Sequence, residues 1–218
     1  MSEIVGVIGC GTVGTAVAKA LLASGYDVTV HDKFPASAEP LLALGAKWSD
    51  SPAALAKNLD VLVTALPAPQ HVRAAMEEEG GCLEALPRGA LWIDHTSTDP
   101  DEPARLALKT EQLGLRYVEA PLTGGVTLLR AGRMTVYLGG TPEDIEAAIP
   151  FVSSYTVTQL PMGVHGTPAV AKIISNMLCA VHTVVTGEVN PQTIPEFRIG
   201  NLEIPSILPP LFVQQNSA

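Results

Sequence analysis

The chain has 218 residues, 47% of them apolar, and a formal net charge of −9. That length suits one well-formed core with an appendage, and the acidic balance argues against nucleic acid or an anionic membrane surface as a partner. Three cysteines, at 10, 82 and 179, stand far apart with no C-x-x-C or Cys/His cluster, so neither a disulfide framework nor a metal site organises the chain.

Ile4, Val5, Val7 and Ile8 form a short apolar run of strand length. Gly9, Gly11 and Gly14 follow it as G-x-G-x-x-G. Ala16, Val17, Ala20, Leu21 and Leu22 then recur at helical spacing up to Gly25, and Val28 and Val30 make a second strand ending at Asp32. In such a unit Gly9 turns the chain out of the strand, Gly11 lets backbone approach a pyrophosphate, and Gly14 lets the helix pack closely on the sheet. The helix start at Thr12, Val13 and Gly14 offers N–H groups and a partial positive charge to the phosphates. Asp32, 18 residues after Gly14, lies where a ribose 2′-hydroxyl needs an acceptor. Its carboxylate favours NAD over NADP, whose 2′-phosphate it would repel; Lys33 beside it keeps NADP open, although a solvated lysine at a strand end is the simpler reading. Cys10 reads as a small spacer in the glycine loop.

The next segments alternate. Pro35 to Leu44 reads as a crossover helix ended by Gly45. Ser51 caps a helix opened by Pro52. Asp60 to Leu66 is a buried-strand run ended by Pro67, and Gln70 to Glu79 is helical. Ala90 to Asp94 is a strand, and Asp99-Pro100 opens a helix that stops near Gly114. Arg116 to Val118 and Met134 to Leu138 are strands, and Thr141-Pro142 opens a helix to Ile149. This rhythm predicts an α/β fold: a Rossmann-type, doubly wound, mostly parallel sheet covered on both faces, followed by one long helix and an irregular tail. Ligands of such sheets bind beyond the carboxyl ends of strands. Leu66-Pro67, Thr96-Ser97 and Thr123-Gly124-Gly125 all follow strands, though each taken alone also reads as a strand stop, a capping loop or a plain turn. His71 and His95 read as surface histidines. The first strand starts by about residue 4, leaving no room for a targeting peptide, and no apolar run reads as long enough to span a bilayer. The expectation is a soluble cytoplasmic protein without membrane partners.

Pro168 to Thr186 reads as one helix, apolar nearly all round and therefore packed on most sides. Lys172, Ser175, Asn176, Cys179 and Thr183 make a polar stripe along it. One reading is a lysine whose head snorkels to water with Asn176 exposed beside it. The other is a desolvated Lys172 facing a cleft, where its lowered pKa suits proton transfer.

Five segments together resemble the β-hydroxyacid dehydrogenase family: Gly-Val-Ile-Gly-Cys-Gly-Thr-Val-Gly at 6–14, Thr-Ala-Leu-Pro at 64–67, Ile-Asp-His-Thr-Ser-Thr at 93–98, Ala-Pro-Leu-Thr-Gly-Gly at 120–125, and Gly-Thr-Pro-Ala-Val-Ala-Lys-Ile-Ile-Ser-Asn-Met at 166–177. The resemblance covers residues 3 to about 187. It implies an NAD(P)-dependent oxidoreductase that oxidises a small 3-hydroxy acid of the 3-hydroxyisobutyrate type to its semialdehyde, or the reverse. It also implies roles. Leu66 and Pro67 line the nicotinamide side, and Thr96 and Ser97 lie near the nicotinamide ribose. Thr123, Gly124 and Gly125 hold the substrate carboxylate and hydroxyl, and Lys172 with Asn176 is the catalytic pair. The family usually has Ser where Thr123 stands, and a second Asn where Ser175 stands. An imine reductase would lead one to expect a residue other than Lys at 172.

The resulting division is a dinucleotide-binding domain at 1–165, an interdomain-type helix at 166–187, and a tail at 188–218. Residues 189–218 hold five of the 18 prolines and keep no helical pattern. The family continues the helix into an all-helical domain that closes the active site and builds the dimer; this stretch does not resemble it. Two classes of function stay open: a dehydrogenase, active as a homo-oligomer or weakly active, and a truncated, non-catalytic NAD(P)-binding form.

Overall fold

The computed structural model describes residues 3–189, 198–199 and 202–203. They divide into two units between Lys172 and Ile173.

The first unit is built on β1 (Ile4–Ile8), which pairs in parallel with β2 (Asp27–His31) on one side and β4 (Val61–Thr64) on the other. The sheet runs β3 (Lys47–Trp48), β2, β1, β4, β5 (Leu91–Asp94), β6 (Arg116–Glu119), all parallel. This is the doubly wound Rossmann order, with its switch point between β1 and β4. Successive strand residues point to opposite faces, and both faces are buried. Val61, Val63, Leu91 and Ile93 join one apolar layer with Val5, Val7, Val17 and Leu21. Leu62 and Trp92 join the other with Leu55, Met76 and Leu106. The apolar runs of the sequence are therefore continuous rather than alternating.

Beyond β6 the sheet changes hand. β8 (Met134–Gly139) runs antiparallel to β6 and to β7 (Leu122–Thr123), and β9 (Thr156–Gly163) runs parallel to β8. The sequence reading had no strand at 156–163. The reason is physical: most of β9 is exposed, with weak alternation and Pro161 inside it, features that suit a strand with few neighbours.

The helices match their signals with some adjustments. α1 spans Thr12–Ala23. The predicted helix at 35–44 is a 3₁₀ turn over Pro35–Ala38 followed by the short α2 (Glu39–Leu42). The Ser51 hydroxyl caps α3 (Pro52–Ala56), accepting the Ala54 N–H at 3.1 Å. α4 spans Pro69–Met76, α5 Asp101–Leu113 and α6 Gly125–Arg130. α7 (Pro142–Val152) is capped by Thr141 and continues through Pro150, beyond the predicted end at Ile149.

α8 (Thr167–Val189) begins in the first unit and continues in the second, where β10 (Arg198–Ile199) pairs antiparallel with β11 (Leu202–Glu203). The remainder of the predicted tail lies outside the described residues. Two expectations for α8 are corrected. Its apolar residues are not packed on most sides: Ile173, Ile174, Met177, Leu178, Val181 and Val185 are between 47% and 56% exposed. And Thr167–Val185, with mean hydropathy 1.4, is long and apolar enough to cross a membrane by length and composition alone. Single polar residues such as Lys172 and Asn176 interrupt the run without lowering its average below that of a spanning helix.

Candidate dinucleotide and substrate site

The glycine loop leaves β1 at the switch point. Gly9 has φ +99° and donates its N–H to the His31 carbonyl at 2.9 Å; an added Cβ would meet the Ala65 carbonyl oxygen. At Gly14 an added Cβ would land on the Gly9 carbonyl oxygen. Gly11 differs from both. Its φ is −72°, and an added Cβ meets nothing within 4 Å. Gly11 is the N-cap of α1, and no side chain caps the helix start at Thr12, Val13 and Gly14. The loop is tied down by Thr15, whose hydroxyl donates to the Cys10 carbonyl at 2.8 Å.

Asp32 braces the loop from β2. Its Oδ2 accepts the Cys10 N–H at 2.7 Å and its Oδ1 the Phe34 N–H at 2.8 Å. Each oxygen keeps a lone pair for a further hydroxyl donor. Lys33 beside it is exposed. Cys10 is buried, and burial together with the nearby Asp32 pushes its thiol up to about 12, so it is an inert spacer.

The ends of β4 and β5 are locked to each other. Asp94 Oδ1 accepts the Thr64 hydroxyl at 2.7 Å and the Thr96 N–H at 2.9 Å, and Trp92 Nε1 donates to Thr64 Oγ1 at 2.8 Å. Thr96 Oγ1 in turn accepts the Leu66 N–H at 3.2 Å. Thr96 is thus buried in a clamp between two loops, whereas Ser97 and Pro67 are exposed at the surface the loops present. Burial raises the Asp94 carboxyl to about 6, against the pull of its hydrogen bonds to Thr96 and Thr64. A carboxyl raised above its unfolded value contributes stability at low pH that is lost as pH rises through about 6. Asp94→Asn keeps an acceptor at Oδ1, so it should melt higher than the parent at pH 8 and lose part of the decline that the parent shows from about pH 4 to about pH 6 on the way there. Thermal melts across that range check this; a variant that melts lower at every pH would refute it.

His95 is not the surface residue expected. It is 6% exposed, with Nδ1 2.6 Å from the Ala120 carbonyl and Nε2 2.9 Å from the Tyr155 hydroxyl. The carbonyl requires a proton on Nδ1, so Nε2 accepts from Tyr155. Burial lowers the ring to about 4, which keeps it neutral and structural. His71 is exposed, as read.

Thr123 ends β7, and Gly124 (φ +134°) and Gly125 (φ +76°) turn the exposed chain into α6, which packs on α1. The turn thereby connects to the helix that starts at the glycine loop. Glu119, at the carboxyl end of β6, holds the start of α8 through the Gly166 N–H at 2.7 Å. Half-buried Lys172 closes the first unit on that helix, anchored at the same carboxyl edge from which Gly9, Leu66 and Thr96 emerge. Asn176, four residues on, is exposed and belongs to the second unit.

The strand-end carboxylates Asp94 and Glu119 received no role in the sequence reading. Their signal was an acid closing an apolar run (Leu-Trp-Ile-Asp, Tyr-Val-Glu) ahead of a candidate loop. Among the described residues no group of three or more His, Cys, Asp or Glu could hold a metal ion.

Residues 4–187 match the family described as the NAD binding domain of 6-phosphogluconate dehydrogenase. The mitochondrial 3-hydroxyisobutyrate dehydrogenase of Bos taurus is 33% identical over 184 residues, covering 84% of this chain and 55% of that protein. The NAD-dependent L-serine dehydrogenase of Pseudomonas aeruginosa is 30% identical over 181 residues, 83% of this chain and 61% of that one. Among solved structures, Psf3 in complex with NADP+ and 2-OPP matches with a TM-score of 0.83 and 28% identity over 88% of this chain and 68% of that chain. The chain spans between half and two thirds of the length of these curated relatives.

Proposed function

The chain belongs to the family of the NAD binding domain of 6-phosphogluconate dehydrogenase, and from this we propose that it binds NAD(P) across Gly9–Gly14 and oxidises a small 3-hydroxy acid to its semialdehyde, or catalyses the reverse reduction. The relatives named for 3-hydroxyisobutyrate and L-serine support a short acid with a hydroxyl one carbon removed from the carboxylate-bearing carbon.

One observation carries the cofactor reading. Neither backbone nor packing in this chain calls for glycine at 11, since its φ is open to any residue and a Cβ there would meet open space. Serine would even serve the helix better, as a stronger N-cap. A pyrophosphate seated on the α1 N-terminus does call for glycine. Gly11→Ser is therefore expected to leave stability unchanged or raise it by about a few tenths of a kcal/mol while weakening dinucleotide binding about tenfold or more. Titration with NAD and NADP, beside a urea denaturation curve, checks both halves; affinity within about twofold of the parent would sink the reading.

When bound, NAD(P) supplies the hydride-accepting and hydride-donating chemistry. The chain's own residues do the rest. Lys172 Nζ takes the substrate hydroxyl proton during oxidation and returns it during reduction. Asn176, one helical turn on, hydrogen-bonds that hydroxyl. Thr123 and the Gly124–Gly125 backbone hold the carboxylate, and Leu66, Pro67 and Ser97 face the nicotinamide end. Thr96 acts at one remove, by fixing Leu66. Asp32 favours NAD, because its carboxylate disfavours a 2′-phosphate.

A second reading is a cofactor-binding protein without turnover. The half-exposed apolar face of α8 favours it. A tight dinucleotide complex that never reduces NAD, with 3-hydroxyisobutyrate or L-serine present, would select it.

A further inference from the structure

Glu119 is an expensive residue for the fold. It is 2% exposed, and a buried carboxyl is costly unless both oxygens are satisfied. Oε2 accepts the Gly166 N–H at 2.7 Å. Oε1 is buried without completing a hydrogen bond, while the Ala169 N–H acts on the carboxyl as a whole to favour its charged form. A side chain from β6 therefore caps the first turn of α8 from 47 residues away.

The surroundings are cut to admit this contact. Glu119 pairs with Gly139 across the ladder to β8. A Cβ on Gly139 would stand 2.7 Å from Pro168 Cγ and 3.2 Å from Glu119 Oε2, so any side chain there would push the helix and its cap away. Gly166 turns the chain at φ +91°, and a Cβ on it would stand 2.6 Å from the Pro100 carbonyl oxygen at the N-cap of α5. The start of α8 is thus seated on β6, β8 and α5 at once. Lys172 follows Gly166 by six residues, about 9 Å along the helix axis. The turn at Thr123–Gly125 leaves β7, the short strand that follows β6, four residues after Glu119.

We infer that Glu119 is a positioning residue: by seating the first turn of α8 on the carboxyl end of β6, it fixes Lys172 relative to the Thr123–Gly125 turn. The functional weight of this seat rests on Lys172 being the proton-transfer group; the seat itself does not.

The neighbours set the direction of its pH response. Burial raises the Glu119 carboxyl to about 7; the Gly166 and Ala169 N–H groups oppose this, and the Asp94 charge at the end of β5 adds to it. Tyr117, on its own strand, is held well above its ordinary value. His165, in the loop before α8, is lowered by burial and has Nε2 3.1 Å from the Tyr117 carbonyl. Lys172 is the cation on α8 itself, and β8 presents only Gly139 at this point. A carboxyl that binds its proton more tightly when seated favours seating below neutrality and loosens it as pH rises through about 7. Glu119→Gln mimics the protonated group at every pH.

Amide hydrogen exchange on the full chain, corrected for the intrinsic pH dependence, tests this at residues 166–172, with α1 as the internal control. In the parent, protection at the start of α8 should fall about tenfold between about pH 6 and pH 8. In Glu119→Gln it should stay level, and in Glu119→Ala it should be lower by about tenfold or more throughout, with α1 unchanged. Asp94→Asn in the same series separates the contribution of the neighbouring carboxyl. The ¹³C-dimethyl-lysine signal of Lys172, assigned by its loss in Lys172→Arg, should move in Glu119→Ala while the other lysine signals stay in place. Parent-like protection in Glu119→Ala, an unmoved Lys172 signal, or a Glu119→Gln chain with the parent's pH dependence would each overturn the proposal. If Glu119→Ala does not fold, Glu119→Gln carries the test. Neither readout uses turnover or dinucleotide, so an inactive parent counts against the proposed function and leaves the seat to stand or fall separately.

Discussion

Lys172→Ala is expected to cut turnover of the hydroxy acid about 10²- to 10⁴-fold, the range a positioned proton-transfer group contributes, with dinucleotide affinity held within about twofold. The two effects separate because of where Lys172 stands. It is half-buried on α8, a helix anchored through Glu119 to β6, whereas the glycine turn proposed to seat the pyrophosphate belongs to β1 and α1. Removing the amine leaves Gly9, Gly14 and Asp32 in their contacts. Lys172→Arg sharpens the test, since a guanidinium keeps the charge and cannot act as a base; it should be nearly as slow as alanine. Stopped-flow absorbance of the reduced nicotinamide gives the rate, and fluorescence titration gives the affinity. Equal loss of both, or a rate within about fivefold of the parent, would remove Lys172 from the chemistry.

Gly14→Ala should be the most damaging substitution of the glycine loop for stability. The new Cβ would land on the Gly9 carbonyl oxygen, a backbone atom with little freedom to yield. Gly9 is held at φ +99° by its N–H bond to His31 and stands against the Ala65 carbonyl on the other side. Relief requires α1 to lift from β1, which opens the layer containing Val17 and Leu21, both fully buried. Overpacking of this kind costs about 3 kcal/mol or more, a fall in melting temperature of about 6–12 °C for a chain of this size. A melt within about 2 °C of the parent would show that the loop tolerates the methyl group. Paired with Gly11→Ser, the substitution divides the glycines by cause: position 14 answers to packing, position 11 to a ligand.

The parts of the fold legible in the sequence were those whose cause is local or repeated. β1, β4 and β5 are buried on both faces and read as apolar runs, and Ser51-Pro52 and Thr141-Pro142 cap their helices where the sequence places them. The parts that were not legible depend on distant partners. β9 has too little burial to pattern its residues. His95 looks polar and free until Tyr155, 60 residues on, closes over it. The resemblance places Thr96 near a ribose; its hydroxyl also accepts the Leu66 N–H, a contact between two loops that no spacing rule reveals. Nothing in the strand ending at Glu119 announces a helix start 47 residues later. Gly9 and Gly14 stand against backbone that a Cβ would meet, Asp32 braces the loop from the end of β2, and Asn176 falls in the second unit.

Trp92 gives the chain a built-in optical reporter. It is one of two tryptophans, fully buried, and its indole N–H ends on the same Thr64 hydroxyl that donates to Asp94. Light emitted from this ring therefore senses the clamp that holds Leu66 and Thr96. Trp48, the other, lies on β3 at the edge of the sheet, four strands away, with its indole N–H on Asp50. Replacing Trp48 by phenylalanine would leave a single emitter whose colour and lifetime follow the Thr64–Asp94 clamp, without any attached dye.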